Sequence, residues 1–372
     1  MPDLSHQHYM QLALNLARQG EGRTAPNPPV GAVIVNSGKI VGEGFHPQAG
    51  QPHAEIFALR QAGEKAQGAD IYVTLEPCSH YGKTPPCADA LIAAGIKSVS
   101  IGVVDPNPQV AGRGIQKLQK AGIEVQTGIL EPECRRLIKP FTKNILTGLP
   151  FTIYKAAMTL DGNTATITGD SRWVSGAESR LLVHQLRDRV EAIMIGIGTV
   201  INDDPLLNTR LPDGGGRDPL RVVVDSRLQI DPECQMLKQD STAQTLVATI
   251  STNQQKISVL QSSGKAEVVI LPAASGQVSL PALWDELGRR NIQRLLLEGG
   301  STLATAALEK GLIDQVMLFM APKLLGGSST FGIFSGSGCE TMAAAIGLED
   351  VHYKQVGDDM LITGDIAPCL LD

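Results

Sequence analysis

A chain of 372 residues in which 42% of side chains are hydrophobic has room for two domains, each with its own buried core. Its formal net charge of −6 excludes the broad basic face that nucleic-acid binding needs, yet leaves room for a few local cations around a small phosphorylated ligand. No run of about 18 apolar residues reads as a membrane span, and residues 1–19 lack a basic stretch followed by an apolar core. No nucleic-acid or membrane partner is therefore expected. The cytoplasm is the expected compartment, with the six cysteines reduced.

Residues 5–18 place Tyr9, Leu12, Ala13, Leu16 and Ala17 at helical spacing, with Ser5 positioned to cap. Residues 30–36 and 39–44 read as a hairpin turning at Ser37-Gly38. Helices are expected over 54–61, 87–94, 115–121 and 131–146, and strands over 71–75, 98–103 and 123–126. Thr147-Gly148-Leu149-Pro150 then marks a boundary between a first domain, 1–147, and a second, 148–372. In the second, strands are expected over 151–158, 192–197, 221–225, 245–249, 267–271, 294–298 and 315–321. Helices are expected over 177–189, 281–290 and 302–310, with a flexible loop at 212–216. Such alternation describes two layered α/β domains.

Within the first domain, His53-Ala54-Glu55 is answered downstream by Pro77-Cys78 and by Cys87. Imidazole and thiolates are zinc ligands, and three protein ligands leave a fourth position open for water, as a catalytic site requires. His-x-Glu followed by Pro-Cys and a later Cys is the pattern of zinc-dependent base deaminases, in which the glutamate is not a ligand. Two residues apart on a helix is about 200° around its axis, so His53 and Glu55 reach one ion together only at a helix end. Both cysteines are expected to precede or open helical runs, whose N-termini favour thiolates. Glu55 is the expected general base, moving a proton from water to a ring nitrogen and then to the leaving amine. The alternatives are a capping role for His53, two core thiols, or a structural zinc. The last usually has four protein ligands, and no fourth stands within this stretch. Cys134, Cys234, Cys339 and Cys369 read as ordinary thiols.

The usual Pro-Cys-x-x-Cys spacing is lengthened here to Pro77-Cys78-Ser79-His80-Tyr81-Gly82-Lys83-Thr84-Pro85-Pro86-Cys87. That stretch and Pro26-Asn27-Pro28-Pro29-Val30-Gly31 resemble the bifunctional riboflavin-biosynthesis deaminase/reductase family. So do residues 155–162, residues 203–210 and Glu298-Gly299-Gly300, and the resemblance covers nearly the whole chain. It implies a cytidine-deaminase-like α/β/α domain followed by a dihydrofolate-reductase-like α/β domain. It also implies one zinc per deaminase site, NADPH as the second cofactor, and small phosphorylated pyrimidines as substrates. A homo-oligomer, dimer or tetramer, is expected.

The resemblance implies substrate contacts at Asn27, His80 and Lys83, with His46 and Glu76 as weaker candidates. In the second domain it implies substrate contacts at Ser171, Arg187, Leu207, Arg210 and Glu298. Cofactor contacts are implied at Ala157, Trp173, Thr199, Asp203 and Ser226, and at Gly300, Ser301, Thr302, Leu303, Ala304, Thr305 and Ala306. The residues themselves leave alternatives open: Asn27 as a turn residue, Lys83 as a solvated loop lysine, Arg187 and Arg210 as surface or ion-paired arginines, and Trp173 as core. Lys155 lies within an apolar strand, where a buried lysine needs a partner, and this favours a substrate role. The strand, Glu298-Gly299-Gly300-Ser301 and following helix suit a pyrophosphate, or are simply a tight turn. Gly196-Ile197-Gly198 lacks the third glycine of a dinucleotide fingerprint, since Ile201 stands there.

The expected function is hydrolytic deamination of a diamino-phosphoribosylamino-pyrimidinone, then NADPH-dependent reduction of its ribosyl group to ribityl. Lys155, Asp203 and Glu298 are the candidate proton donors. A nucleoside or nucleic-acid deaminase with an accessory reductase-like domain is disfavoured by the acidic charge and the long insert between the cysteines. A regulatory protein on a degenerate scaffold is disfavoured by the intact His53, Glu55, Cys78 and Cys87.

Overall fold

The computed structural model describes residues 4–80, 85–108, 110–327 and 331–367. The chain forms two compact units, Met1–Gly148 and Leu149–Asp372. The first contains α1 (Leu4–Ala17), β1 (Gly31–Asn36), β2 (Lys39–Phe45), α2 (Ala54–Ala62), β3 (Asp70–Leu75) and α3 (Cys87–Ala93). It continues with β4 (Ser98–Val103), α4 (Arg113–Lys120), β5 (Glu124–Thr127) and α5 (Glu131–Thr147). Its sheet runs β2-β1-β3-β4-β5. β1 is antiparallel to both neighbours, and β3, β4 and β5 are parallel.

Alternation along the strands loads both faces of this sheet. Ala32, Ile34, Ile71, Val73, Val99 and Ile101 pack with Ala54, Ala58, Ala88, Leu91 and Leu118 of α2, α3 and α4. Val33, Val35 and Tyr72 face the other way and, with Leu75 and Val103 at the strand ends, pack with Met10 and Leu14 of α1 and Leu137 and Ile138 of α5. The result is the expected α/β/α sandwich. α1 starts at Leu4, so Ser5 lies inside the helix rather than capping it.

The second unit opens with β6 (Phe151–Thr159), α6 (Ala177–Arg189), β7 (Ala192–Gly196), α7 (Ile197–Asp203), β8 (Leu220–Val224), α8 (Gln235–Lys238), β9 (Thr245–Thr249), α9 (Gln254–Ser262) and β10 (Ala266–Ile270). A small hairpin follows, β11 (Ala273–Ala274) and β12 (Gln277–Val278), then α10 (Leu280–Arg289), β13 (Arg294–Leu297), α11 (Ser301–Glu309) and β14 (Gln315–Ala321). It ends with β15 (Leu348–Val356) and β16 (Asp359–Ile366). Its main sheet runs β10-β9-β8-β7-β13-β6-β14-β16-β15. It is parallel except that β16 pairs antiparallel with β14 and with β15. Trp284 and Leu287 of α10 and Ala304 and Ala307 of α11 seal one face of the sheet. Met236 of α8 and Ile257 and Leu260 of α9 seal the other. The unit has the mixed α/β architecture expected of a dihydrofolate-reductase-like domain.

Seven elements go beyond the sequence reading, among them the two-residue strands β11 and β12. α7 is hidden because it begins in what reads as a glycine turn. α8 is a single turn of four residues. α9 carries a legible start, since the Asn253 side chain accepts the Lys256 N–H at 3.1 Å, an N-cap bond. β15 is exposed along most of its length, so no apolar alternation marks it. β16 follows β15 through the Gly357-Asp358 turn, a hairpin signal that was not read.

Close packing of β2 on α2 fixes the start of that helix. A Cβ at Gly44 would lie 2.3 Å from the Ala54 carbonyl oxygen and 2.7 Å from the Ala58 nitrogen, both rigid backbone. Gly44→Ala is therefore expected to destabilise the first unit by about 1–3 kcal/mol through overpacking. Urea unfolding followed by circular dichroism checks this, and an unchanged midpoint would contradict the packing described.

Candidate active sites

In the first unit, three elements deliver three ligand atoms to one point. His53 is the residue just before α2, and its side chain makes no capping hydrogen bond, which removes the capping explanation. Cys87 is the first residue of α3. Cys78 follows β3 in irregular chain, so it does not itself open a helix. Its sulfur is held at a helix start all the same, because the Cys87 N–H donates to Cys78 Sγ at 3.2 Å.

His53 Nδ1 stands 3.6 Å from Cys78 Sγ and 3.3 Å from Cys87 Sγ. All three ligand atoms lie within 4.8 Å of one another, and no other such group occurs among the described residues. A tetrahedral zinc with the usual Zn–N and Zn–S bonds separates imidazole nitrogen and thiolate sulfur by about 3.5 Å. The triangle fits zinc.

The electrostatics of the triangle fit a cation as well. Hydrogen bonding from the Cys87 side chain, then from His53 and the Cys87 N–H, lowers the Cys78 thiol to about 4 against the opposing effect of burial. Cys87, sharing its proton with Cys78 and buried, is raised. The two sulfurs thus compete for one proton in a place where a divalent ion would leave both as thiolates. Glu55, 3% exposed in the first turn of α2, is pushed up to about 7 by burial and next by the charge on Cys78. Its Oε2 is buried and makes no hydrogen bond. A carboxylate with one free oxygen beside a metal triangle is placed to handle protons rather than to support the fold.

Asn27 combines a turn with a site position. Its N–H donates to the Thr24 carbonyl at 2.8 Å, and its side-chain nitrogen lies 3.1 Å from His46 Nε2. His46 Nδ1 is 3.0 Å from the Pro52 carbonyl, which can only accept, so Nδ1 carries the proton and Nε2 accepts from Asn27. The His46 ring sits 5.3 Å from that of His53. This relay fixes the Asn27 amide beside the metal triangle. His80 is exposed, and Lys83 lies outside the described residues. Asp105, after β4, escaped the sequence reading. Burial raises its carboxyl, and Glu76, His80 and Cys78 all act on it electrostatically.

The second unit holds a cleft of ≈ 2050 Å³ at the carboxyl ends of β6, β7, β8 and β13, the edge at which open α/β sheets bind ligands. Lys155 and Ala157 of β6 line it, as do Ser171 and Trp173 from the following loop. Trp173 is 62% exposed, so core packing does not account for it, and the Arg180 guanidinium stacks over its ring at 4.6 Å. Thr199 and Asp203 of α7 and Ser226 after β8 also line the cleft, and so do Gly300, Ser301, Thr302, Leu303 and Ala306.

Leu207, Ala304 and Thr305 are not among the lining residues. The Leu207 side chain is 4% exposed in the hydrophobic core, although its backbone has a φ of +51°. Ala304 points into the sheet on the inner face of α11, as helical periodicity requires of a residue one turn after Gly300 and three before Ala307. The Thr305 hydroxyl exchanges hydrogen bonds with the backbone of Ser335.

The glycine turn is shaped for close approach. Gly299 has a φ of +88°, and a Cβ there would meet Thr199 Oγ1 at 2.7 Å. The Gly300 N–H donates to that same oxygen at 3.3 Å. α11 then begins with no acidic residue in its first turn and no side-chain cap, so its N-terminal N–H groups face the cleft uncompensated.

Arg187 lines the cleft and is ion-paired, one of the alternatives its residue type left open. Its Nε and Nη2 donate to the two oxygens of Glu298 at 3.0 and 2.9 Å, and Nη1 donates to the Asn208 carbonyl at 3.1 Å. Burial works against the Glu298 anion, yet Arg187 and then Lys155 hold its carboxyl below the usual range. Lys155 lies beside this pair with its nitrogen 5.9 Å from the centre of the Phe319 ring, and burial lowers its pKa. Arg210 is exposed, with Nη1 donating to Asn208 Oδ1 at 2.5 Å. His184 was missed: its Nδ1 accepts the Arg210 N–H at 3.2 Å, and burial, then Arg187 and Arg210, hold it down to about 4. Its signal was its place three residues before Arg187 on one helix face.

Comparison with known proteins agrees with both halves. The family described as cytidine and deoxycytidylate deaminase zinc-binding region matches residues 4–103, and the RibD C-terminal domain matches residues 150–362. The riboflavin biosynthesis protein RibD of Synechocystis is 46% identical over 97% of this chain and 96% of its own length. That of Actinobacillus pleuropneumoniae is 44% identical over 95% and 93%. Among solved structures, Acinetobacter baumannii RibD superposes with a TM-score of 0.86 at 40% identity, covering 98% of this chain and 99% of that one. A Thermotoga maritima diaminohydroxyphosphoribosylaminopyrimidine deaminase/5-amino-6-(5-phosphoribosylamino)uracil reductase gives 0.84 at 35%, again covering 98% and 99%. The chain belongs to the RibD family of riboflavin biosynthesis proteins, enzymes that join a deaminase to a reductase.

Proposed function

We propose that residues 1–147 deaminate diaminohydroxyphosphoribosylaminopyrimidine and that residues 148–372 reduce the ribosyl chain of the resulting uracil to ribityl with NADPH. The observation that carries the first half is the free, buried Oε2 of Glu55 beside the His53, Cys78 and Cys87 triangle. Those three residues would hold the zinc. The ion supplies Lewis acidity that makes water nucleophilic near neutral pH. Glu55 accepts the first proton that water gives up and passes it to the ring nitrogen; it then takes the second from the hydroxyl now on the ring carbon and gives it to the amine, which leaves as ammonia as the C–N bond breaks and the carbonyl forms. Asn27, oriented by His46, supplies a fixed amide for the edge of the pyrimidine ring.

In the second half, the glycine turn and the start of α11 bind the cofactor pyrophosphate, with Thr199 beside them. NADPH supplies the reducing equivalent when bound. Among the candidate proton donors, Glu298 is excluded because Arg187 holds it as the anion. Lys155, buried next to that carboxylate, is the group with a proton to give. Arg210 has donors left over to meet the substrate phosphate. The edge strand β15, with Tyr353 71% exposed, offers a surface for a second copy and supports the expectation of a homo-oligomer. The five cysteines described are all unpaired, in keeping with a cytoplasmic setting.

Metal analysis of the purified protein is expected to give one zinc per chain, and of Cys87→Ser markedly less. Full occupancy in that variant would remove Cys87 from the shell. The two activities are expected to separate. Glu55→Gln should retain zinc and lower ammonia release by roughly 10²–10⁴-fold, the usual effect of losing a general acid–base group. It should still oxidise NADPH when given the deaminated intermediate. Lys155→Met should show the converse pattern. If Glu55→Gln, still folded, also loses reduction of the supplied intermediate, the assignment of one chemistry to each half is wrong.

A further inference from the structure

We propose that Glu76 is a positioning residue for the metal ligand Cys78, acting by anchoring the chain between them to the start of α4. The inference rests on the reading above that Cys78 binds zinc. Glu76 directly follows β3 and is 3% exposed. Its own N–H extends the β3–β4 ladder to the Val103 carbonyl at 3.0 Å. Its carboxylate accepts four backbone N–H groups. Oε2 takes those of Asp105 at 3.2 Å and Gly112 at 3.0 Å. Oε1 takes those of Gly114 at 2.9 Å and Ile115 at 3.2 Å.

Gly114 and Ile115 lie in the first turn of α4, where N–H groups have no partner within the helix. That turn contains no acidic residue of its own, so Glu76 supplies from another element the negative charge that a helix N-terminus favours. The contact reaches the ligand segment directly. A Cβ on Gly114 would lie 2.1 Å from the Pro77 carbonyl oxygen, so the α4 backbone rests against the residue that leads into Cys78. From the other side, the Cys78 carbonyl accepts the Ala88 N–H at 3.1 Å, and its sulfur accepts the Cys87 N–H. Cys78 is therefore gripped on its far side by α3 and on its near side by the Glu76 anchor. Two oxygens serving two N–H groups each are what a carboxylate provides. A glutamine of the same size keeps one such oxygen and turns an NH₂ toward the other two donors.

The test uses full-length protein stripped of metal, at a temperature where circular dichroism shows the apo form folded. Zinc affinity is measured by competition with a chelator. Glu76→Gln is expected to bind zinc about 10–100-fold more weakly than the parent, as is usual when support behind a ligand is lost. Glu76→Asp, which keeps the charge but is one methylene short, should fall between. NADPH-dependent reduction of the supplied intermediate should be unchanged in both. A folded Glu76→Gln with parental zinc affinity would overturn the proposal, even if it melted earlier, because that pattern belongs to a purely structural anchor. If the glutamine variant does not fold, parental affinity in Glu76→Asp overturns it equally. Failure of the parent itself to bind zinc would instead overturn the metal assignment.

Discussion

Both halves place their candidate site residues at the starts of helices, where backbone N–H groups have no partner within the helix. A sheet covered on both faces leaves no room for polar groups in its middle, so they collect where strands end and helices begin. There the free N–H groups stabilise negative charge without any cationic side chain. At α3 that charge is the sulfur of Cys78. At α4 it is the carboxylate of Glu76. At α11 the first turn follows a glycine turn at the edge of the cleft and has no acidic residue of its own. This explains how a chain of net negative charge can handle anionic ligands.

The two sites use buried charge in opposite ways. In the first, Glu55 is left with an oxygen that nothing satisfies, and burial raises its pKa toward neutrality, where a base can both take and return a proton. In the second, Glu298 is bound on both oxygens by Arg187 and stays charged. It is paired with Arg187 and acts electrostatically on Lys155. The two carboxylates thus differ because one has both oxygens held by a cation and the other keeps one oxygen free.

Much of this was legible in the residues. His53, Glu55, Cys78 and Cys87 declare a metal site by residue type and order alone, and apolar runs located the strands of the first sheet and most of those in the second. What was not legible depended on contacts distant in sequence. The bidentate pair of Arg187 with Glu298, 111 residues apart, is one such contact, and it selects the ion-paired arginine among the alternatives the residues left open. The faces of α11 decided that Ala304 packs in the core while Leu303 and Ala306 line the cleft. β15 escaped because an edge strand exposed on both sides has no apolar period to read. Glu76 could be seen as a carboxylate beside a ligand, but its four N–H partners come from a loop and helix 29 to 39 residues on.

The central claim is an open, three-ligand zinc site with Glu55 beside it and outside the shell. X-ray absorption at the zinc edge of the purified chain tests it most directly. The account predicts two sulfur ligands at about 2.3 Å and two lighter ligands at about 2.0–2.1 Å, one imidazole and one water oxygen, with the same shell in Glu55→Gln. A shell of three or four sulfurs, or one that loses an oxygen when Glu55 is replaced, would contradict it.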